Sequence, residues 1–174
     1  MLDLETLGTG PDAVILTLGA VKFNPFDPDA DIIEELYLKL DVDSQFDLGR
    51  VADDSTIEWW GKQKPEVREE AFSSENRVSL DFFTKKLNKF ISGHKHIWAQ
   101  GPVFDIVILE NLYKQLGQPA PWAYYAIRDS RTLFGALGDD RKSNRDQIHN
   151  ALADCIYQVK ALQSAVARYS LTTL

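Results

Sequence analysis

The run VILTLGAVKF at positions 14–23 is apolar and β-branched, and it predicts a buried strand. Turn-forming residues flank it, with GTGP at 8–11 and NPFDPDAD at 24–31. Leu36, Leu38 and Leu40 then alternate with polar or aromatic residues, which predicts a further strand. Together with a strand around positions 3–5, these short connections indicate an antiparallel meander of three strands.

The rest of the chain alternates between helical patterns and short apolar runs. We expect a polar loop over 41–54, helices over 55–64, 79–91, 104–116, 132–137 and 147–168, strands over 97–100 and 124–127, and a polar loop over 138–146. This order predicts an α/β fold in which a mixed five-stranded sheet, with three antiparallel strands and then two parallel strands, has helices on both faces. The ribonuclease-H-like fold has this element order, and residues 1–174 are expected to form one domain.

Composition excludes several classes of protein. A single cysteine in 174 residues excludes a disulfide framework and a cysteine-based zinc site. The formal net charge of −7 argues against a protein that coats nucleic acid through a broad basic surface. No apolar run reaches about 18 residues and no basic-then-apolar leader begins the chain, so we expect no membrane contact and a cytoplasmic protein.

The charge is unevenly distributed along the chain. Residues 1–60 hold 14 acidic and 3 basic side chains, for a net charge of −11, whereas residues 61–174 hold 12 acidic and 16 basic ones, for a net charge of +4. We therefore expect metal-ligating carboxylates in the first part, and phosphate-facing cations mainly in the second.

Two acidic residues near the start, Asp3 and Glu5, are two positions apart on the first predicted strand. Side chains at i and i+2 of a strand point to the same face, so these carboxylates repel each other unless a cation lies between them. A solvent-facing acidic pair explains the spacing equally well. Asp105, in the apolar run FDIVILENL, is either a helix-dipole acid or a partly buried carboxylate with a metal partner.

The segment HNALAD at 149–154 adds a histidine and a carboxylate. Five residues at about 100° each place His149 and Asp154 about 140° apart, so they would flank a concave site. Alone, His149 is equally well interpreted as a surface histidine. As a set, four carboxylates and one histidine favour Mg²⁺ or Mn²⁺ over zinc. Two such ions could clamp the attacking and leaving oxygens of a phosphodiester, with His149 as the general base for water.

Three motifs resemble those of the DEDDh 3′–5′ exonucleases. DLET at 3–6 resembles the first motif, GPVFD at 101–105 the second, and HNALAD at 149–154 the third in its histidine form, H-x4-D. They occur in the family's order and span most of the chain. STIEWW at 55–60, followed by QKPE at 63–66, is similar to the exonuclease A type of T4-like phages and to related bacterial exoribonuclease-like proteins.

The resemblance implies a metal-dependent 3′–5′ exonuclease that releases nucleoside 5′-monophosphates. It implies that Asp3, Glu5 and Asp154 bind one Mg²⁺ or Mn²⁺ ion and that Asp3 bridges to a second. Asp105 would act directly or through a bound water, and His149 would activate the hydrolytic water. Only two residues precede Asp3, fewer than family members usually have, so we expect a loosened site with weaker metal affinity.

Residues beside the motifs are candidate substrate contacts. Thr6 and Leu7 would line the pocket for the terminal nucleotide, although simple strand-to-turn geometry explains them equally well. Phe104 is a further candidate, but packing in the core is the stronger expectation for it.

Two aromatic and several basic residues complete the substrate candidates. Trp59 and Trp60 are adjacent and cannot share a helical face, so we expect one in the core and the other, for which we favour Trp59, stacked on a terminal base. Arg145 lies in a basic loop that forms either a phosphate clamp or a solvated surface. Arg128 and Arg131 are weaker candidates of the same kind.

The leading hypothesis is a metal-dependent 3′–5′ exonuclease acting on single-stranded DNA, which the phage-like segment favours slightly over RNA. An exoribonuclease is the alternative within the same class. A catalytically silent nucleic-acid-binding protein on the same fold is the alternative from a different class, and the presence of all five motif residues argues against it. The expected partner is the 3′ end of a single-stranded nucleic acid, and the sequence is compatible with a homodimer.

Overall fold

The structure is a computed structural model that describes residues 1–27, 32–138 and 149–174. The strands are β1 (Leu2–Thr6), β2 (Ile15–Lys22), β3 (Glu34–Leu40), β4 (Arg77–Val78), β5 (Ile97–Ala99) and β6 (Ile127–Asp129). The α-helices are α1 (Asp43–Asp47), α2 (Asp54–Gly61), α3 (Pro65–Phe72), α4 (Leu80–Ile91), α5 (Pro102–Gln115), α6 (Ser130–Ala136) and α7 (Ala151–Arg168), and a 3₁₀ turn spans Tyr124–Ala126.

The strands form two hydrogen-bonded groups. β1, β2 and β3 pair antiparallel, as the alternation of apolar residues predicts, and the short β4 adds in parallel to β3. β5 and β6 form a separate parallel pair, and β5 lies beside β1. The mixed α/β class is thus confirmed. The single five-stranded sheet is not, because the described strands form a four-stranded sheet and a two-stranded one.

Several element boundaries differ from the prediction. Helix α7 begins at Ala151 and not near 147, so His149 precedes the helix and the angle expected from helical spacing does not apply to it. Helix α1 lies within the expected loop because the buried Gln45 amide binds both the N–H and the carbonyl of Ile15, in place of a neighbouring strand. Pro65 bounds α2 as predicted, but it also starts a second helix, α3. The strand expected over 124–127 begins only at Ile127, because Tyr124–Ala126 form a 3₁₀ turn in which both tyrosines are exposed.

Two apolar core clusters pack around the sheet, and they determine which face of β1 can carry the site. Leu2 and Leu4 of β1 belong to a core cluster with buried residues of β2, α4 and α5. A second cluster contains the buried apolar face of α7 together with Phe134 of α6. Within the described ranges, no helix combines the length and apolar character needed to cross a membrane.

Candidate functional site

Strand β1 presents two carboxylates on one face, as the i, i+2 spacing predicts. Asp3 stands opposite Gly19 of β2, and Glu5 stands opposite Thr17. Glu5 is buried and Asp3 is half-buried. The register between β1 and β2 shifts directly after Glu5, and such irregularities re-aim strand side chains next to functional sites.

Helix α7 reaches this face of the sheet because Gly19 has no side chain. A Cβ at position 19 would lie 2.2 Å from the carbonyl carbon of Ala151, the first residue of α7. The thiol of Cys155 donates to the Gly19 carbonyl at 3.3 Å. Asn150 caps the helix by accepting the N–H of Ala153. These contacts fix the first turn of α7, which carries Asp154, over β1 and β2.

Asp3, Glu5 and Asp154 form a three-carboxylate cluster. Each offers one oxygen, and the three oxygens lie within 4.8 Å of one another. Like charges this close repel unless a cation lies among them. An all-oxygen donor set suits hard ions such as Mg²⁺ and Mn²⁺, so the residues present fit the metal that the sequence predicts.

Asp105 lies beside this cluster and is held differently. It is buried in the first turn of α5, and its Oδ1 accepts the backbone N–H of Leu4 at 3.1 Å. Burial raises the pKa of Asp105 well above its usual range, nearby Asp3 raises it further, and Arg131 opposes the shift. Of the four carboxylates predicted from the sequence, the structure therefore brings three together as potential ligands and ties Asp105 to the backbone of β1.

His149 immediately precedes the cap of α7 and contacts Trp59. The two rings are 4.7 Å apart between centroids and nearly perpendicular. His149 has a φ of 46°, a left-handed conformation in which histidine is enriched among non-glycine residues. Trp59 keeps 38% of its surface exposed, whereas Trp60 is buried and donates its indole N–H to the Thr6 carbonyl at 2.9 Å. One tryptophan thus lies in the core and the other against the histidine.

The remaining substrate candidates occupy less open positions. The Thr6 hydroxyl donates to the Gly8 carbonyl at 2.6 Å, and Leu7 is buried in a small cluster with Trp60. Phe104 is half-buried and packs against the main core, as its core interpretation predicts. Arg145 lies within residues 139–148, outside the described part of the chain.

Arg131 is an exposed cation close to the site. Its guanidinium carbon is 3.4 Å from the position that a Cβ on Gly101 would occupy. The Asp129 carboxylate accepts both the N–H of Gly101 and that of Arg131, which joins the starts of α5 and α6. Arg131 therefore lies beside the start of α5, close enough to Asp105 for its charge to lower the pKa of that carboxyl.

Two residues of the site were missed from the sequence. Gly19 interrupts an apolar strand, and an isolated strand glycine is a known signal for close backbone approach. Gln158 donates its Nε2–H to Asp3 Oδ1 at 2.9 Å, and it lies four residues after Asp154 on α7. That spacing alone could have drawn attention to it, although glutamines at such positions are common.

Comparison with known proteins identifies the family. A sequence model of the 3′–5′ exoribonuclease Rv2179c-like domain matches residues 1–166. The exodeoxyribonuclease of Enterobacteria phage T4 is 31% identical over 160 residues, covering 79% of this chain and 70% of the phage protein. Since these matches extend over most of the chain, the protein belongs to the Rv2179c-like 3′–5′ exoribonuclease domain family, and it is a 3′–5′ exonuclease of the hydrolase class.

Proposed function

We propose that the protein removes nucleotides from the 3′ end of single-stranded nucleic acid, with Mg²⁺ or Mn²⁺ held by Asp3, Glu5 and Asp154. The observation that carries this proposal is the cluster of three carboxylate oxygens within 4.8 Å of one another. The strand order, with β5 beside β1, supports a ribonuclease-H-like arrangement around it. Divalent ions bound there would supply Lewis-acid stabilisation of the phosphate and a water of lowered pKa.

His149 is proposed as the general base. Its imidazole would accept a proton from the attacking water, and a positioned base of this kind contributes roughly 10²- to 10⁴-fold to the rate. The perpendicular contact with Trp59 limits the orientations of the imidazole ring. Trp59 is partly exposed and would stack on the terminal base of a single strand.

The α5 side of the site is proposed to meet the substrate backbone. Asp105 would contribute to metal binding directly or through a water. Because one of its oxygens already accepts the Leu4 N–H, the other oxygen would take this role. Arg131 is exposed beside Asp105 and suits a phosphate contact. Arg145 stays a proposed phosphate contact on the strength of its sequence position.

For the polymer, we propose single-stranded DNA first. The T4 relative is called an exodeoxyribonuclease, and it aligns with 79% of this chain. RNA is the second candidate, favoured by the family description of an exoribonuclease domain. Discrimination between them depends on contacts with the sugar 2′-hydroxyl. Because both polymers share the phosphodiester chemistry, the same carboxylates would serve either.

A matched-substrate assay tests the proposal. DNA and RNA oligonucleotides of one sequence, labelled at the 5′ end, are incubated with Mg²⁺, Mn²⁺ or EDTA. We expect stepwise shortening that needs metal and stops when the 3′ end is blocked. The faster polymer identifies the substrate.

Two variants complete the assay. Asp154→Ala should abolish shortening, whereas Asp81→Asn, which changes an exposed first-turn acid of α4, should not. Shortening by Asp154→Ala at the wild-type rate would overturn the assignment of the site. Size-exclusion chromatography with light scattering on the same samples distinguishes a monomer from the homodimer.

A further inference from the structure

Gln158 lies on α7 one helical turn beyond Asp154 and contacts Asp3, another member of the carboxylate cluster. Residues four apart on a helix are neighbours on one face. Gln158 is 3% exposed, and its Nε2 donates to Asp3 Oδ1 at 2.9 Å. The folding of α7 onto β1 thus brings a buried amide donor to Asp3, the first acid of the first motif.

The chemistry of an amide distinguishes this contact from an ion pair. Gln158 is neutral, so it orients the Asp3 carboxylate without cancelling its charge. A lysine or arginine at this position would compete with a metal cation for the same carboxylate. An apolar side chain of equal size would fill the space but would give Asp3 no donor.

Packing alone does not account for an amide at position 158. Its second polar atom, Oε1, is buried and makes no hydrogen bond to the residues that the structure describes. Most buried side-chain polar atoms in proteins are paired, so a side chain selected only for packing would be apolar here. The hydrogen bond to Asp3 is therefore the interaction that explains a polar side chain at position 158.

We propose that Gln158 is a positioning residue that holds the Asp3 carboxylate ready for a divalent cation. The inference rests on the metal-binding role proposed for Asp3, Glu5 and Asp154. Repulsion from its two acidic neighbours favours rotation of Asp3 away from them, and the Gln158 donor opposes that rotation. Hydrogen-bond partners of metal ligands typically change metal affinity by roughly 10- to 100-fold when they are removed.

The first test replaces the amide with an apolar side chain of similar length. Mn²⁺ binding to the full chain is measured by isothermal titration calorimetry, and thermal unfolding is measured in EDTA. For Gln158→Met we expect a dissociation constant for Mn²⁺ raised about 10- to 100-fold. At saturating Mn²⁺, kcat should stay close to the wild-type value.

Gln163 provides a matched control on the same helix. It is also 3% exposed, and its Nε2 donates to the carbonyls of Asn24 and Asp27, both at 2.9 Å. Gln163→Met therefore removes equally buried hydrogen bonds away from Asp3. We expect unchanged Mn²⁺ affinity in this variant, and equal loss of affinity in both variants would overturn the proposal.

A second substitution separates positioning from simple stability. Gln158→Lys keeps a donor near Asp3 but adds a competing positive charge. We expect unfolding in EDTA at or above the wild-type temperature, together with a greater loss of Mn²⁺ affinity than in Gln158→Met. Wild-type affinity in Gln158→Lys would overturn the proposal, and it would do so even if Gln158→Met does not fold.

Asp154→Ala distinguishes failure of this inference from failure of the proposed site. If wild type binds Mn²⁺, Asp154→Ala does not, and Gln158→Met binds as wild type does, the positioning role alone is wrong. If Asp154→Ala binds Mn²⁺ as wild type does, the metal site itself is wrong and the inference fails with it.

Discussion

The first turns of α5 and α7 flank β1 and carry the same kind of residue at the same place. Asp105 is the fourth residue of α5, and Asp154 is the fourth residue of α7. Both carboxylates are buried after apolar sequence. Yet Asp154 joins Asp3 and Glu5 in the carboxylate cluster, whereas Asp105 accepts a backbone N–H of β1. Position within a helix therefore did not determine what each acid contacts, because Asp154 meets the acidic side chains of β1 whereas Asp105 meets its backbone.

The two helix starts are also anchored by different means. Gly101 precedes α5 with a φ of +106° and donates its N–H to Asp129, so a loop of unusual backbone geometry sets the entry of α5. Helix α7 is set by Asn150 as its cap and by direct backbone packing on Gly19. The α5 start thus depends on its own loop and on Asp129 at the end of β6, whereas the α7 start depends on the backbone of β2 beneath it.

Removing the α7 carboxylate should have the largest effect. Asp154→Asn keeps the volume of the side chain but removes a proposed metal ligand, so we expect kcat/KM with Mg²⁺ to fall about 10³-fold, or about 4 kcal/mol. The equivalent change on α5, Asp105→Asn, should cost less, because its Oδ1 can still accept the Leu4 N–H. Initial rates on a labelled oligonucleotide measure both. An equal loss in both variants would contradict the difference between the two helices.

Pushing α7 off the sheet should have the next largest effect. In Gly19→Ala the new methyl group would collide with the Ala151 backbone, so the first turn of α7 must move. A displacement of about 1 Å can cost about 10²-fold in rate, and such overpacking costs about 1–3 kcal/mol of stability.

Gly135→Ala is the control for this change. It places a methyl group in open space on α6 and should leave activity close to wild type, with stability unchanged or raised by up to about 1 kcal/mol. Denaturant unfolding and initial rates compare the two variants. Wild-type activity in Gly19→Ala would show that the approach of α7 does not depend on this glycine.

The Gly19 contact illustrates how far sequence patterns reach. Alternation and β-branched residues predict β1, β2 and β3, and the helical period predicts α4 closely, since each signal is contained within one element. The approach of α7 to Gly19 joins residues more than a hundred positions apart. No local period encodes that contact, and only the absence of a side chain in an otherwise apolar strand indicates it.

Trp59 belongs to the α7 side of the comparison through its contact with His149. Trp59→Ala should raise KM for single-stranded substrate about tenfold, because stacking on one base contributes roughly 1–3 kcal/mol. Phe82→Ala removes an aromatic ring of similar exposure on α4 and should leave KM unchanged. Steady-state kinetics on a short oligonucleotide measure both. The same KM in Trp59→Ala as in wild type would exclude base stacking at this residue.

Short elements show why the remaining parts of the fold escaped prediction. Strand β4 has two residues, and α1 has five. Neither is long enough to display a period. Helix α1 instead depends on Gln45, whose contacts with Ile15 are visible only once β2 is in place. The different contacts of Asp105 and Asp154 could not be predicted either, because the sequence around each acid fits an apolar helix start equally well.

The α5 side predicts a dependence of stability on pH. Burial and nearby Asp3 raise the pKa of Asp105, so the folded chain holds that proton more tightly than the unfolded chain does. Metal-free wild type should therefore lose stability as pH rises from about 4 towards the raised pKa. In EDTA, Asp105→Asn should unfold at a higher temperature than wild type at neutral pH, and the difference should vanish near pH 4. Parallel pH profiles for the two proteins would contradict a raised pKa for Asp105 in the folded chain.

Arg131, at the α5 edge of the site, should give the smallest effect. If its guanidinium meets a substrate phosphate, Arg131→Gln should raise KM only a few-fold at low salt. It should also lower the slope of log affinity against log salt concentration by about 0.7, the value for one contact with a single strand. Lys114→Gln changes an exposed cation at the opposite end of α5 and should leave that slope unchanged. Binding to an oligonucleotide in Ca²⁺ across a salt series measures both slopes. Equal slopes in wild type and Arg131→Gln would exclude a phosphate contact by Arg131. The start of α5 would then contact β1 but not the substrate.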